Sequence, residues 1–166
     1  MLSIEQKISL LKKVSSFTSL SDHQFETLAN MCIVEKFQAG ERIFSQGDPG
    51  GALCIVVYGK VTLDRDIHDK TDTISLRTIK AGEYFGVMSL FHEAPRSAHA
   101  TATETTIILR LDAKDFNTVA NDNPVLLREL NQILCQRLVE AYDKISELTQ
   151  HNKPRELQNL YDKLDF

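Results

Sequence analysis

All seven glycines of the chain, at positions 40, 47, 50, 51, 59, 82 and 86, fall in one stretch of fewer than fifty residues. Glycine enters left-handed backbone at little cost, and tight turns require such positions. Turns this densely spaced mean many short strands at the centre of the chain. The flanks contain no glycine and carry helical periodicity instead. The chain therefore divides into helix, then strands, then helix.

The strands show their faces. Val61 and Leu63 point one way and Thr62 and Asp64 the other, and Ile74 and Leu76 bracket Ser75 in the same manner. His68 to Asp72 between them is a polar turn, which makes a hairpin with an exposed tip. Leu53 to Tyr58 is unbroken and apolar, as expected of a strand buried on both faces, and Thr105 to Leu111 is a further strand. About eight strands in a barrel or sandwich result.

Helix starts are legible on both sides. Ser3-Ile-Glu-Gln6 and Ser21-Asp-His-Gln24 read as capping boxes, the first ahead of Ile4, Ile8, Leu11 and Val14, the second ahead of Phe25, Leu28 and Cys32. Asp112 is placed to cap a short helix carrying Phe116 and Val119. Asn123-Pro124 opens a helix running to about Gln150, with Leu127, Leu134, Leu138, Ala141, Ile145 and Leu148 as its stripe. That heptad-like seam suits packing against a second copy through residues 124–150; lying across its own barrel is the other use. Pro154 ends the pattern, and Leu157, Leu160, Tyr161 and Leu164 follow on a short amphipathic tail. The expected divisions are a β-roll domain over 1–122, the long helix over 123–150 and the tail over 151–166.

Composition narrows function. Nineteen basic against 23 acidic residues give a net charge of −4, with no surplus to condense on phosphate backbones or anionic lipid. The last 43 residues, from Pro124, hold six basic and seven acidic side chains, and 12 residues after Pro154 are too few for a helix-turn-helix, so no nucleic-acid contact is expected. No apolar run approaches the ~20 residues of a membrane span. The N-terminus is broken by Glu5 and Lys7, which does not suit a secretory signal. Cys32, Cys54 and Cys135 are far apart in apolar stretches, so three small buried hydrophobes in a reducing cytoplasm are expected. Histidines 23, 68, 92, 99 and 151 have no metal-ligand spacing, with His92 and His99 read as exposed, and no nucleophile or P-loop motif is present. Neither a metal, nor a cofactor, nor an enzyme is expected.

The informative window is Ala81 to Thr101, AGEYFGVMSLFHEAPRSAHAT. Tyr84-Phe85-Gly86 ends a strand and runs into a short apolar helical turn, Val87 to Phe91, and Pro95-Arg96-Ser97 precedes a new strand. Unpaired N–H groups at the start of the turn, the forked guanidinium of Arg96 and the hydroxyl of Ser97 suit one phosphate. Pro-Arg-Ser also occurs at ordinary surface turns.

The order of these parts, with Gly40 to Asp48, Tyr58-Gly59-Lys60-Val61, AGEYFG leading into PRSA and the helix from Pro124, resembles the cyclic nucleotide-binding domain family. The catabolite-activator branch is the most similar, over about Leu11 to Leu148. The resemblance implies an eight-stranded β jelly roll (double-stranded β-helix) with N-terminal helices and a long C-terminal dimerisation helix. It implies a regulatory protein that binds cyclic AMP or cyclic GMP and signals to a second copy or a protein partner. Arg96 would salt-bridge the cyclic phosphate, Ser97 would contact it, and backbone amides around Gly86, Met88 and Ser89 would complete the cradle.

Two departures bear on binding. The family places Glu after the cassette glycine to accept from the ribose 2′-hydroxyl, and here Val87 stands instead; an unmade hydrogen bond of this kind costs ~1–3 kcal/mol, roughly ten- to a hundredfold in affinity. The Thr-Ser pair that meets the adenine in the catabolite-activator branch is Ala141 and Tyr142 here, and Tyr142 either fills part of the base site or stacks on the base. Glu83 and Glu93 flank the cassette, but Glu83 stands where a family acidic residue serves the turn. Two readings remain: a sensor with a variant cassette, or a scaffold of the same fold that binds no nucleotide and works through its surfaces.

Overall fold

Two Ser-x-x-Gln boxes start the chain's first helices as their chemistry dictates. In the computed structural model, which describes residues 2–67, 72–91 and 94–149, helix α1 spans Ile4–Leu11 and α2 spans Asp22–Met31. Gln6 N–H donates to Ser3 Oγ at 3.2 Å and Ser3 N–H returns the bond to Gln6 Oε1 at 2.8 Å; Gln24 and Ser21 do the same at 3.2 and 3.0 Å. Eight strands follow among the described residues: β1 (Ile33–Phe37), β2 (Arg42–Phe44), β3 (Ala52–Tyr58), β4 (Lys60–Ile67), β5 (Asp72–Lys80), β6 (Tyr84–Phe85), β7 (His99–Ala102) and β8 (Thr106–Asp112). Helix α3 (Met88–Phe91) lies between β6 and β7, and α4 (Ala113–Ala120) and α5 (Pro124–Thr149) follow β8.

The strands form two four-stranded antiparallel sheets, ordered β1-β8-β3-β6 and β2-β7-β4-β5, as a jelly roll requires. The core is set by period-two alternation. Cys54 and Val56 of β3, Phe85 of β6 and Ile108 of β8 meet Val61, Ile79 and Ala100 from the other sheet. The intervening residues Leu53, Ile55, Leu109 and Leu111 are equally buried, since α2, α3 and α4 pack on the outer face of that sheet. This double burial is why β3 reads as an unbroken apolar run, buried from Ala52 to Val56 before Tyr58 emerges. Phe116 of α4 stacks on Phe17 at 6.3 Å and meets Phe91 edge-on at 6.1 Å, which ties α3 and α4 to the N-terminal segment.

By its contacts the chain falls into two compact units, residues 1–127 and 128–166. The start of α5 belongs to the first: Asn123 Oδ1 accepts from Leu126 N–H at 3.0 Å, with Pro124 as the first helical residue. Leu126 is fully buried there. In the second unit α5 presents Leu138 and Val139 as exposed apolar residues.

Several sequence expectations differ from the structure. Asp112 precedes α4 but makes no capping bond, because its carboxylate is engaged by Arg110. Strand β5, at the edge of its sheet, is exposed along nearly its whole length, Ile74 and Leu76 included. Cys32 and Cys54 are buried, but Cys135 is exposed on α5. His99 is not an exposed side chain; it is mostly buried against Asp66. The hairpin tip at 68–71, His92-Glu93 and the amphipathic tail lie outside the described residues. Among the described residues, no helix is long and apolar enough to cross a membrane.

Candidate functional site

The stretch from Pro95 into β7 alternates strictly: Arg96, Ala98, Ala100 and Ala102 are buried and the residues between them are not. Arg96 therefore occupies an inward position at the head of a row of buried alanines. It is 8% exposed. Its backbone is held by the turn after β2, with Arg96 N–H donating to the Asp48 carbonyl at 2.8 Å and Gly47 N–H donating to the Arg96 carbonyl at 2.9 Å. The Asp48 carboxylate accepts from Ser45 N–H at 2.7 Å and stabilises that turn.

The guanidinium lies over the Phe44 ring, 4.1 Å from Cζ to the centroid, and Nη1 donates to the Ala52 carbonyl at 3.0 Å. This placement depends on Gly86, whose φ is +82° and whose Cα faces both groups: a Cβ there would lie 2.7 Å from the Ala52 oxygen and 2.7 Å from Arg96 Nη1. Burial pulls the Arg96 guanidinium below its ordinary pKa, and Arg110 pulls the same way, while Cys54 and Asp48 act in the opposite sense. An anion beside the guanidinium would offset that penalty by its charge.

Arg96 opens into a cavity of about 370 Å³, of ligand-pocket size, whose walls include Glu35, Phe44, Ala52, Arg110 and Asp112. Glu35 faces inward because it pairs in register with the core residue Ile108, and Arg110 and Asp112 continue the same face of β8. Arg110 Nε donates to Glu35 Oε1 at 3.0 Å, and its Nη1 donates to Asp112 Oδ1. Cys54 lies on this wall, and burial pushes its thiol up to about 12, so it is no nucleophile near neutral pH. A second cavity of about 590 Å³ lies against Leu90, Phe91, Ala113 and Lys114 and shares Pro49, Gly50 and Gly51 with the first.

Of the residues singled out in the sequence, the structure brings Arg96 and Gly86 together. Ser97 has the opposite parity and is exposed, and it does not line the cavity; the Met88 side chain at the start of α3 is exposed as well. Val87 is 2% exposed and is absent from the cavity wall. Ala141 is exposed and Tyr142 half-buried in the second unit. Glu83 does serve the turn: it accepts from Arg77 Nη2 at 2.6 Å and from Lys80 N–H at 2.7 Å. Sequence reasoning missed Glu35, Phe44, Arg110 and Asp112. Their signal was available as charges on the same strand parity as core residues, Glu35 two before Phe37, and Arg110 and Asp112 two and four after Ile108. Among the described residues no His, Cys, Asp and Glu cluster could hold a metal ion.

The family model described as "Cyclic nucleotide-binding domain" matches residues 34–123, just over half of the chain. The chain is 32% identical over 154 residues to the cGMP-dependent protein kinase of Plasmodium berghei, which covers 93% of this chain and 16% of the kinase. It is 40% identical over 105 residues to the cyclic AMP receptor protein of Thermus thermophilus, covering 63% of this chain and 48% of that protein. The chain thus spans half or less of the length of these curated relatives. The crystal structure of the Thermus thermophilus catabolite activator protein superposes with a TM-score of 0.73 at 34% identity, covering 81% of this chain and 62% of that one. The matched segment runs from β1 through α4 and contains the whole roll into which Arg96 turns, and on that ground the chain belongs to the cyclic nucleotide-binding domain family.

Proposed function

We propose that this chain is a non-enzymatic sensor that binds a cyclic nucleotide in the Arg96 cavity and signals through α5 to a second copy or a protein partner in the cytoplasm. The observation that carries the reading is the buried guanidinium of Arg96, turned into a cavity of about 370 Å³ by Gly86, Phe44 and Ala52. A cyclic phosphate carries one negative charge and exposed oxygens, which suits a fork of donors held in place. The relatives named for cyclic GMP and cyclic AMP supply the two nucleotides to test. Ligand in the cavity would favour one of two arrangements of the flanking helices, with coupling equal to its difference in affinity for them.

Isothermal calorimetry with cyclic AMP and cyclic GMP tests the sensor. Saturable heat is expected with at least one, and Arg96→Ala should weaken it roughly ten- to a hundredfold, as loss of a charge-assisted hydrogen bond does. No heat at millimolar nucleotide would favour the second reading, a scaffold of the same fold without a ligand. That reading draws on Val87, which is apolar and buried where the family resemblance calls for a ribose-binding carboxylate.

A further inference from the structure

Arg96 reaches the cavity with its side chain, but its backbone is set by the turn after β2. Arg96 N–H donates to the Asp48 carbonyl at 2.8 Å, and Gly47 N–H donates to the Arg96 carbonyl at 2.9 Å. Gln46, just before Gly47, is in turn held by His99 of β7. Its N–H donates to His99 Nδ1 at 3.0 Å, and its side-chain Oε1 accepts from Asp66 N–H at 2.9 Å. Asp66 closes the circle, with Oδ2 3.0 Å from His99 Nε2. The side chains of His99 and Asp66 are mostly buried, which shields these bonds from water.

We infer that His99 is a positioning residue for Arg96, and that a proton taken up by its ring loosens the turn and weakens ligand binding. The inference rests on Arg96 as the anchor of an anionic ligand. A neutral imidazole has a single acceptor nitrogen, and Gln46 N–H occupies it. An imidazolium has donors at both nitrogens, so a proton on Nδ1 sets two N–H groups against each other. Gln46 must then move, and Gly47 and Asp48, which make both backbone bonds to Arg96, follow it directly in the chain. Histidine is the side chain whose charge ordinarily changes between about pH 5 and 8.

The charged groups around the ring act in both senses. Asp64, paired with His99 in register, and Asp66 on the same strand favour the imidazolium. The Asp48 carboxylate, bonded to Ser45 N–H within the turn, adds to them. Arg42 of β2, opposite Thr101 of β7, favours the neutral ring, as does Gln46 N–H. A positive ring would by itself attract an anionic ligand and raise its affinity in acid. Loosening the turn has the opposite sign. By reciprocity, a ligand that needs the intact turn favours the neutral ring and expels the proton.

The test measures affinity for cyclic AMP and cyclic GMP from about pH 8 to 5.5 in wild type, His99→Asn and His99→Ala. Thermal melts at each pH confirm folding. Amide protection of Gly47 and Arg96, corrected for intrinsic exchange, is read on the ligand-free protein. Wild-type affinity should fall about three- to tenfold towards acid, the scale of one hydrogen bond, and both amides should lose protection. His99→Asn keeps an acceptor near the place of Nδ1 and takes up no proton. Its affinity should be level across this range and above that of His99→Ala. Wild-type affinity that stays constant or rises in acid overturns the inference. An equal fall in His99→Asn also overturns it, because the titrating group then lies elsewhere. Absence of nucleotide binding to wild type overturns the link to ligand together with the sensor reading. Protection of Gly47 and Arg96 that does not change with pH in the ligand-free protein overturns the positioning role alone.

Discussion

Gly86 and Arg96 occupy adjoining space so closely that a carbon at the glycine Cα would displace the guanidinium: a Cβ there would lie 2.7 Å from Nη1. The same atom would press on the Ala52 carbonyl that accepts from Nη1. Gly86→Ala therefore meets two penalties. Its φ of +82° is left-handed, at ~1–2 kcal/mol for an L-residue, and the guanidinium must move off Phe44 and Ala52. Expected outcomes are a lower melting temperature and loss of nucleotide affinity of tenfold or more. Calorimetry showing wild-type affinity in this variant would show that Arg96 does not need its inward pose to bind.

Glu83 gives the turn before β6 a measurable pH dependence. Burial raises its pKa, but the Lys80 N–H, the Arg77 guanidinium and the charges of Arg77 and Lys80 more than offset this, so the carboxyl is held below its ordinary value of 4.5. A group depressed in the folded state stabilises above its unfolded pKa, and that contribution disappears as pH falls through the folded value. Glu83 is more than a third exposed, so solvent screening limits the contribution to about 0.5 kcal/mol. Melts of wild type and Glu83→Gln should differ slightly at pH 7 and converge as pH drops below 4.5. A gap that widens in acid would contradict the assignment.

His99 joins the turn after β2 to two strands, and its tautomer follows from its partners. Gln46 N–H donates to Nδ1 at 3.0 Å, so Nδ1 carries no proton; Nε2 lies 3.0 Å from Asp66 Oδ2 and must donate. Asp66 N–H donates in turn to Gln46 Oε1 at 2.9 Å. Nitrogen-detected NMR near neutral pH should show the Nε2–H form. His99→Ala leaves Gln46 N–H and the Asp66 carboxylate without this partner and is expected to cost ~1–3 kcal/mol, with faster amide exchange across residues 45–51. An Nδ1–H spectrum would refute the network as described.

What the sequence displayed was local. Two capping boxes, the Asn123-Pro124 start and the doubly buried β3 each depend on a few consecutive residues, and each is found where its chemistry places it. What it concealed was pairing between distant strands. Glu35 and Arg110 are 75 positions apart, and only the β1–β8 register puts them on one wall. Alternation in β5 resembled a half-buried strand because Ile74 and Leu76 share a face, and nothing local says that this strand lies at the edge of its sheet. Arg96 was recognisable by its motif, but its inward pose arises from contacts with Phe44, Ala52 and Gly86.

The apolar residues of α5 make the last prediction. Leu138 is 50% exposed and Val139 56%, on a helix whose polar residues elsewhere are well solvated. Covering the exposed half of this leucine stabilises by roughly 1 kcal/mol, and a two-fold dimer covers the residue twice. If residues 124–150 form the seam between two copies, Leu138→Glu should raise the dimer dissociation constant by roughly a hundredfold or more. The helical circular dichroism should persist, because an exposed position on a helix tolerates glutamate. Sedimentation velocity from 1 to about 100 µM, a range wide enough to capture a hundredfold shift, reads both species. A wild type that remains monomeric throughout excludes this seam, and leaves Leu138 and Val139 available to a partner of different sequence.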